Sequence, residues 1–229
     1  MTIVRSENTK QELPASYFQQ KVRRSAIGAD PTVLADIYQD DVNIAIWQRK
    51  LPTALQKSVQ DFLLANSALK LSISVTPESL LASLQDSLGP KIPIDLCNDI
   101  SQIVDMFCCL FELQRTGLRL TVLDRPMCPR FHVDRVPCRL VTTYEGCATD
   151  WLPHASVNRT KLGMGSNGMP DNKSGLFEST TDIQTLNCAE VALLKGELWE
   201  NNENAGLVHR SPEVPAGQTR LLLTLDFIE

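Results

Sequence analysis

The sequence predicts an α+β fold in which a helical N-terminal layer supports an antiparallel C-terminal sandwich or barrel. Three observations predict it. From Pro31 to Arg115 apolar residues recur mostly at helical steps of three and four. After Gly117 they alternate with polar residues at a period of two. The segment Asn158 to Thr181, dense in Gly, Asn, Asp, Lys and Ser, separates the later strands.

The elements follow in order. Residues 1–30 are polar and without sustained periodicity, and read as a loosely held arm. Asp30-Pro31 is a cap residue followed by proline, a helix start, with Val33, Leu34, Ile37 and Tyr38 behind it. Thr53 to Leu64 repeats the spacing through Leu55, Val59, Phe62 and Leu63. Leu69 to Val75 alternates as a half-buried strand, and Thr76-Pro77 opens a third helix that stops before Gly89-Pro90. A fourth helix is expected from about Asp95 to Arg115, with Leu96, Ile100, Val104, Phe107 and Phe111 on one side and Gly117 ending it. Cys108 and Cys109 are expected to pack in the core of that helix. Strands are then expected at 118–123, Cys138 to Tyr144, Ala189 to Lys195 and Arg220 to Phe227. The division is an arm over 1–30, a helical supporting region over 31–117 and a sheet region over 118–229, in one continuous globule.

With 229 residues, 43% hydrophobic and 21% charged, the chain has the composition of a folded globular protein. A net charge of −5 and scattered cations, with only Lys21 to Arg24 as a basic run, exclude the footprint of a DNA- or RNA-binding face. No apolar run has signal-peptide or membrane-span character, so a cytoplasmic protein without membrane association is expected. Seven cysteines without framework spacing are expected as thiols in a reducing compartment.

The chemistry concentrates at two places. His132-Val133-Asp134 puts an imidazole and a carboxylate two residues apart, on the same face of an extended segment, where they can grip one ion. Near the C-terminus, Gly206 to Pro212 and Gln218 to Phe227 read as strand, turn, strand around Pro215 and Gly217. A hairpin centred midway between 209 and 220 sets His209 directly opposite Arg220, on one face. Two imidazoles and one carboxylate leave adjacent coordination positions open, as in non-haem Fe(II) oxygenases. A planar guanidinium such as Arg220 can bind an acid bidentately. Thr142 and Tyr144 share a strand face with Cys138 and are candidates to reach a bound cosubstrate.

His132-x-Asp134, then His209, then Arg220 resembles the signature of the 2-oxoglutarate- and Fe(II)-dependent oxygenases. The resemblance covers roughly 118–229 and includes Arg139 to Tyr144 followed by Glu145 to Trp151, although Cys147-Ala148 interrupt the Gly-rich turn expected there. It implies a double-stranded β-helix of the jelly-roll or cupin type, iron on His132, Asp134 and His209, 2-oxoglutarate on Arg220, and dioxygenase chemistry on an unspecified small molecule or protein side chain. The segment from Asn158 to Thr181 would then be a lid. More closely, Cys128 to Asp134 with Arg139 to Tyr144 and Leu207 to Pro212 resembles a bacterial domain family of unknown function, number 1826, whose members often accompany zinc-responsive genes.

A rival set exists. Cys128, His132, Cys138 and His154 offer sulfur and nitrogen ligands of the kind tetrahedral zinc takes. This leaves open a metal-binding, zinc-associated protein of the same fold without turnover. It lacks tight Cys-x-x-Cys knuckles and leaves His209 and Arg220 without a role. No nucleophile elbow and no phosphate loop is present, since Gly163-Met-Gly-Ser-Asn-Gly has no following Lys.

Overall fold

Residues 22–89 and 91–228 are described in the computed structural model. The expected helical periodicity becomes α1 (Thr53–Ala65), α2 (Leu80–Leu88) and α3 (Ile94–Leu110), preceded by a 3-10 helix over Pro31–Tyr38. Asp30 caps that first turn, accepting from the Thr32 amide, and Pro31 stands at its start as the sequence predicts. Among the described residues no helix is long and apolar enough to cross a membrane.

The strands in chain order are β1 (Arg24–Gly28), β2 (Val42–Trp47), β3 (Lys70–Val75), β4 (Thr116–Leu123) and β5 (Cys138–Glu145). They continue with β6 (Asp150–Leu152), β7 (Gln184–Thr185), β8 (Val191–Lys195), β9 (Val208–Arg210) and β10 (Arg220–Asp226). Seven form one sheet in the order β1-β2-β8-β5-β10-β4-β3, and the other three a small sheet in the order β7-β6-β9. Pairing is antiparallel except between β1 and β2.

Side-chain alternation gives the large sheet two different faces. Leu118, Leu120, Leu140, Leu193, Leu221, Leu223 and Leu225 point to the helices, where Val59, Leu84, Leu96, Ile100 and Phe107 complete the main core. On the opposite face a smaller core of Ile44, Ile46, Val141, Ala192 and Leu194 meets Trp151 of the small sheet and Leu207, just before β9. Outside the small sheet, Leu152 and Val208 pack under Val157, Leu176 and Phe177. A charged group fixes the helical layer: Arg49 grips Asp99 of α3 at 2.7 and 2.9 Å, and the Tyr144 hydroxyl donates to the same carboxylate at 2.6 Å.

Several expectations need correction. Arg24–Gly28, assigned from sequence to the loose arm, is an edge strand of the large sheet, while residues 1–21 of that arm lie outside the described residues. Val42–Trp47, inside the expected helical region, is a strand buried on both faces, and a run apolar at every position but Asn43 carries no period of two by which to recognise it. The last helix ends at Leu110 rather than Arg115. Glu112 takes the left-handed conformation just beyond it, at φ 53°, and Gly117 lies within β4 instead. Cys108 is buried as expected, but Cys109 is exposed.

Burial on α3 sets a stability expectation. Ile100 is fully enclosed between helix and sheet, so Ile100→Ala is expected to lower unfolding free energy by about 2–5 kcal/mol in denaturant melts. Leu81→Ala, at a side chain 38% exposed, is expected to cost clearly less.

Candidate metal centre

Backbone pairing brings the two histidines together. The His132 amide donates to the His209 carbonyl and the His209 amide to the His132 carbonyl, both at 3.0 Å, an antiparallel bridge on the free edge of β9. On its other side His209 pairs with Trp151 of β6. Asp134 arrives two residues later, in a loop pressed against the turn that follows β8. Gly196 makes that approach possible, since a Cβ there would lie 2.0 Å from the Val136 carbonyl oxygen and 2.9 Å from that of Asp134. The Glu197 amide donates to the Asp134 carbonyl at 2.9 Å and fixes the loop.

Ligand-type atoms of His132, Asp134 and His209 all lie within 4.8 Å of one another. The His132 Nε2 stands 3.5 Å from Asp134 Oδ1, and the His209 Nε2 3.3 Å from Asp134 Oδ2. Each ring places its Nδ1 on a backbone carbonyl, His132 on Arg130 at 2.9 Å and His209 on Leu207 at 3.3 Å. A carbonyl can only accept, so each neutral imidazole carries its proton on Nδ1 and presents the Nε2 lone pair to the centre. His209 is almost fully enclosed and His132 partly open to the cleft.

The Asp134 carboxyl is set by opposing effects. Burial pushes its pKa up, but the hydrogen bonds that His132 and His209 donate to it when their rings are protonated, the charge of His209 and that of Arg139 outweigh burial and hold it well below the usual carboxylate range. Arg139 of β5 donates to Asp134 Oδ2 at 2.8 Å and, through its Nε, to Asp226 Oδ1 at 2.7 Å. The hydrogen bond that protonated His132 donates to Asp134 in turn raises the His132 pKa against the opposing effect of burial.

Arg220 opens β10 and is 1% exposed. Its guanidinium donates to Thr149 Oγ1 at 2.7 Å, to Thr143 Oγ1 at 3.2 and 3.3 Å and to Ser211 Oγ at 3.2 Å. Among the described residues no carboxylate forms a salt bridge with it, and burial lowers its pKa to about 10. Arg220, His132 and His209 line one cleft. Gly146, at φ 84°, lets the chain turn beside it, because a Cβ there would lie 3.0 Å from the Arg220 Cα.

The structure thus places His132, Asp134, His209 and Arg220 at one site, but not by the expected hairpin. β9 and β10 belong to different sheets, and His209 and Arg220 meet across the cleft between them. Thr142 and Tyr144 lie on the wrong face: Tyr144 is in the helix-side core bonded to Asp99, and Thr142 donates to the Ala189 carbonyl at 3.5 Å. Their neighbour Thr143, one residue out of phase, reaches Arg220.

The rival zinc set does not assemble. Cys138 points into the helix-side core, through the sheet from the histidines, with burial pushing its thiol pKa strongly up. His154 is buried in a 3-10 turn, its Nδ1 3.1 Å from Arg159. Cys128 is exposed and lines the cleft beside His132. The segment expected as a lid folds instead against the outer side of the small sheet, with Leu176 and Phe177 in the core there and Asp171 accepting from the Phe131 amide.

Thr143, Thr149, Ser211 and Asp226 carry no motif and escape a sequence reading. Arg139 supplies the missing signal: if it shares the face of the ligands, a period of two selects Thr143 and excludes Thr142.

The electrostatics fix a pH dependence. A raised His132 pKa means that its pairing with Asp134 stabilises the fold fully below about 6.5 and loses that contribution as pH rises through the raised value. The depressed Asp134 pKa stabilises above about 3.8 and is lost on acidification. In metal-free protein, Asp134→Asn is therefore expected to move the His132 imidazole titration, followed by NMR, to lower pH. An unchanged midpoint would refute the assigned cause.

No curated protein matches the chain. Among solved structures it is similar to a rice dioxygenase for auxin oxidation, at 9% identity and TM-score 0.47, covering 90% of this chain and 83% of that one. It is also similar to a Pseudomonas putida prolyl-4-hydroxylase, at 11% identity and TM-score 0.42, covering 86% of this chain and 96% of that one. Residues 28–226 match the family described as "Protein of unknown function (DUF1826)", and the chain belongs to that family.

Proposed function

We propose that this protein is an Fe(II)- and 2-oxoglutarate-dependent oxygenase with His132, Asp134 and His209 as iron ligands and Arg220 as the anchor for 2-oxoglutarate. One observation carries the reading: two Nε2 lone pairs and a carboxylate converge in a cleft that also holds a buried guanidinium whose partners among the described residues are hydroxyl groups. A buried cation without a carboxylate partner is costly unless a ligand supplies the anion. Two nitrogens and one oxygen suit Fe(II) and leave open positions toward the cleft. The two facing sheets support reading the frame as a double-stranded β-helix.

When bound, iron and 2-oxoglutarate supply dioxygen activation, with oxidative decarboxylation to succinate furnishing the oxidising power. The chain's own residues do the positioning. The carbonyls of Arg130 and Leu207 hold both imidazoles in the ligating tautomer. Arg139 keeps Asp134 ionised and aimed at the centre. Thr143, Thr149 and Ser211 orient the Arg220 fork toward the distal carboxylate of 2-oxoglutarate, while Val141 and Leu222 give the cleft an apolar floor.

Anaerobic protein loaded with Fe(II) is expected to develop a visible charge-transfer absorbance on adding 2-oxoglutarate. His209→Ala is expected to abolish stoichiometric iron binding. Arg220→Gln should keep the iron and weaken 2-oxoglutarate roughly 10–100-fold, the equivalent of one charge-assisted bond of about 1.5–3 kcal/mol. Iron-loaded wild type without an absorbance change, or stoichiometric zinc in the protein as purified with no response to 2-oxoglutarate, would overturn the oxygenase in favour of a metal-binding protein without turnover.

A further inference from the structure

Arg119 is a second cation on the cleft wall, away from Arg220 along the sheet. It projects from β4 on the face opposite Leu118 and Leu120, across from Thr224 of β10. Its side chain is 48% exposed, and it lines the same cleft as the two histidines. Its hydrogen bond among the described residues runs from Nη2 to Asp226 Oδ2 at 2.7 Å. That oxygen is already shared, because Arg139 donates to it at 3.1 Å and to Asp226 Oδ1 at 2.7 Å. Asp226 thus steadies the Arg119 fork without neutralising it, and the Nε and Nη1 hydrogens are left for another acceptor.

Charge counting points the same way. The large sheet sends three guanidinium groups into the cleft, Arg119, Arg139 and Arg220, against two carboxylates that bind them or the histidines, Asp134 and Asp226. One unit of positive charge remains, in a chain whose net charge is −5. Arg210 adds nothing to the balance, since Asp150 pairs with it at 3.0 Å. On the oxygenase reading, on which this inference rests, a divalent metal and a dianionic cosubstrate cancel, so the surplus persists. With Arg220 engaged by that cosubstrate, the surplus falls to Arg119.

We infer that Arg119 is the substrate-recognition residue and that the substrate carries a carboxylate or phosphate group, which Arg119 binds at the end of the cleft away from Arg220. A half-exposed fork held at one nitrogen suits bidentate capture of either anion, and a positive cleft on a negative protein concentrates such ligands at its mouth.

The test uses Fe(II)-loaded protein with 2-oxoglutarate under anaerobic conditions, titrated with inorganic phosphate and, separately, with acetate. Calorimetry and displacement of the charge-transfer band are read together. At least one anion is expected to bind, to lose affinity tenfold or more in Arg119→Gln and to recover part of it in Arg119→Lys, with the 2-oxoglutarate band intact in both variants. That band serves as the check on folding. Binding of neither anion, equal binding in Arg119→Gln, or loss only in Arg220→Gln with competition against 2-oxoglutarate would each overturn the assignment. Failure of the oxygenase reading looks different: no band forms, yet an Arg119-dependent anion titration leaves the anion site standing.

Discussion

The ion-pair chain from Asp134 through Arg139 to Asp226 is the interaction on which the site depends. Asp134 has no regular element of its own, and a carboxylate on a loop beside two imidazoles would otherwise be free to turn away. Arg139, rigid in the middle of the large sheet, ties it to β10, where Asp226 closes the chain. Burying these charges is tolerable because each is paired within hydrogen-bond distance. β10 in turn carries Arg220 at its other end, with Leu221, Leu223 and Leu225 embedded among the helices. A single strand therefore sets both the aim of the carboxylate and the position of the Arg220 guanidinium, the proposed anion anchor. The helical layer takes part indirectly, as the apolar bed that keeps this strand from shifting.

The two faces of the large sheet divide labour by chemistry. Every second residue of β4, β5 and β10 faces the helices and is mostly apolar, while the intervening positions present Arg119, Thr121, Arg139, Thr143, Arg220 and Thr224. Such a polar row is tolerable because the small sheet covers only part of that face. Where the covering sheet is present, Ile44, Ile46, Val141 and Trp151 fill the gap. Where it stops, the cleft begins.

Much of this organisation was legible in the sequence, because amphipathic periodicity directly reports which face of an element is buried. α1, α3, β4, β5 and β10 follow from it to within a few residues at most ends. The four residues now found at one site were legible by residue type and spacing, although the geometry that joins them was not. His209 and Arg220 lie at a distance in sequence that suits a hairpin, and only the sheet assignment, a long-range property, distinguishes pairing from facing. Phase is equally hidden: nothing local says whether Thr142 or Thr143 looks toward the ligands, and an error of one residue reverses the face. β2 was illegible for the opposite reason, since burial on both sides erases the alternation. The polar segment over Asn158 to Thr181 reads as a mobile cover by composition, yet its few apolar residues, Leu176 and Phe177, dock it on the far side of the small sheet.

The reciprocal backbone bridge between His132 and His209 has a mechanical consequence. Because the two residues exchange both amide hydrogen bonds, the interval between their rings, 4.6 Å from centroid to centroid, is a spacing of the sheet itself. It does not rely on a captured ion to draw two separate segments together. The backbone pairing alone fixes this interval, so an ion bound as proposed would meet two imidazoles already spaced by the sheet. Asp134, the third member, is held differently, by the Arg139 guanidinium on its carboxylate and the Glu197 amide on its backbone.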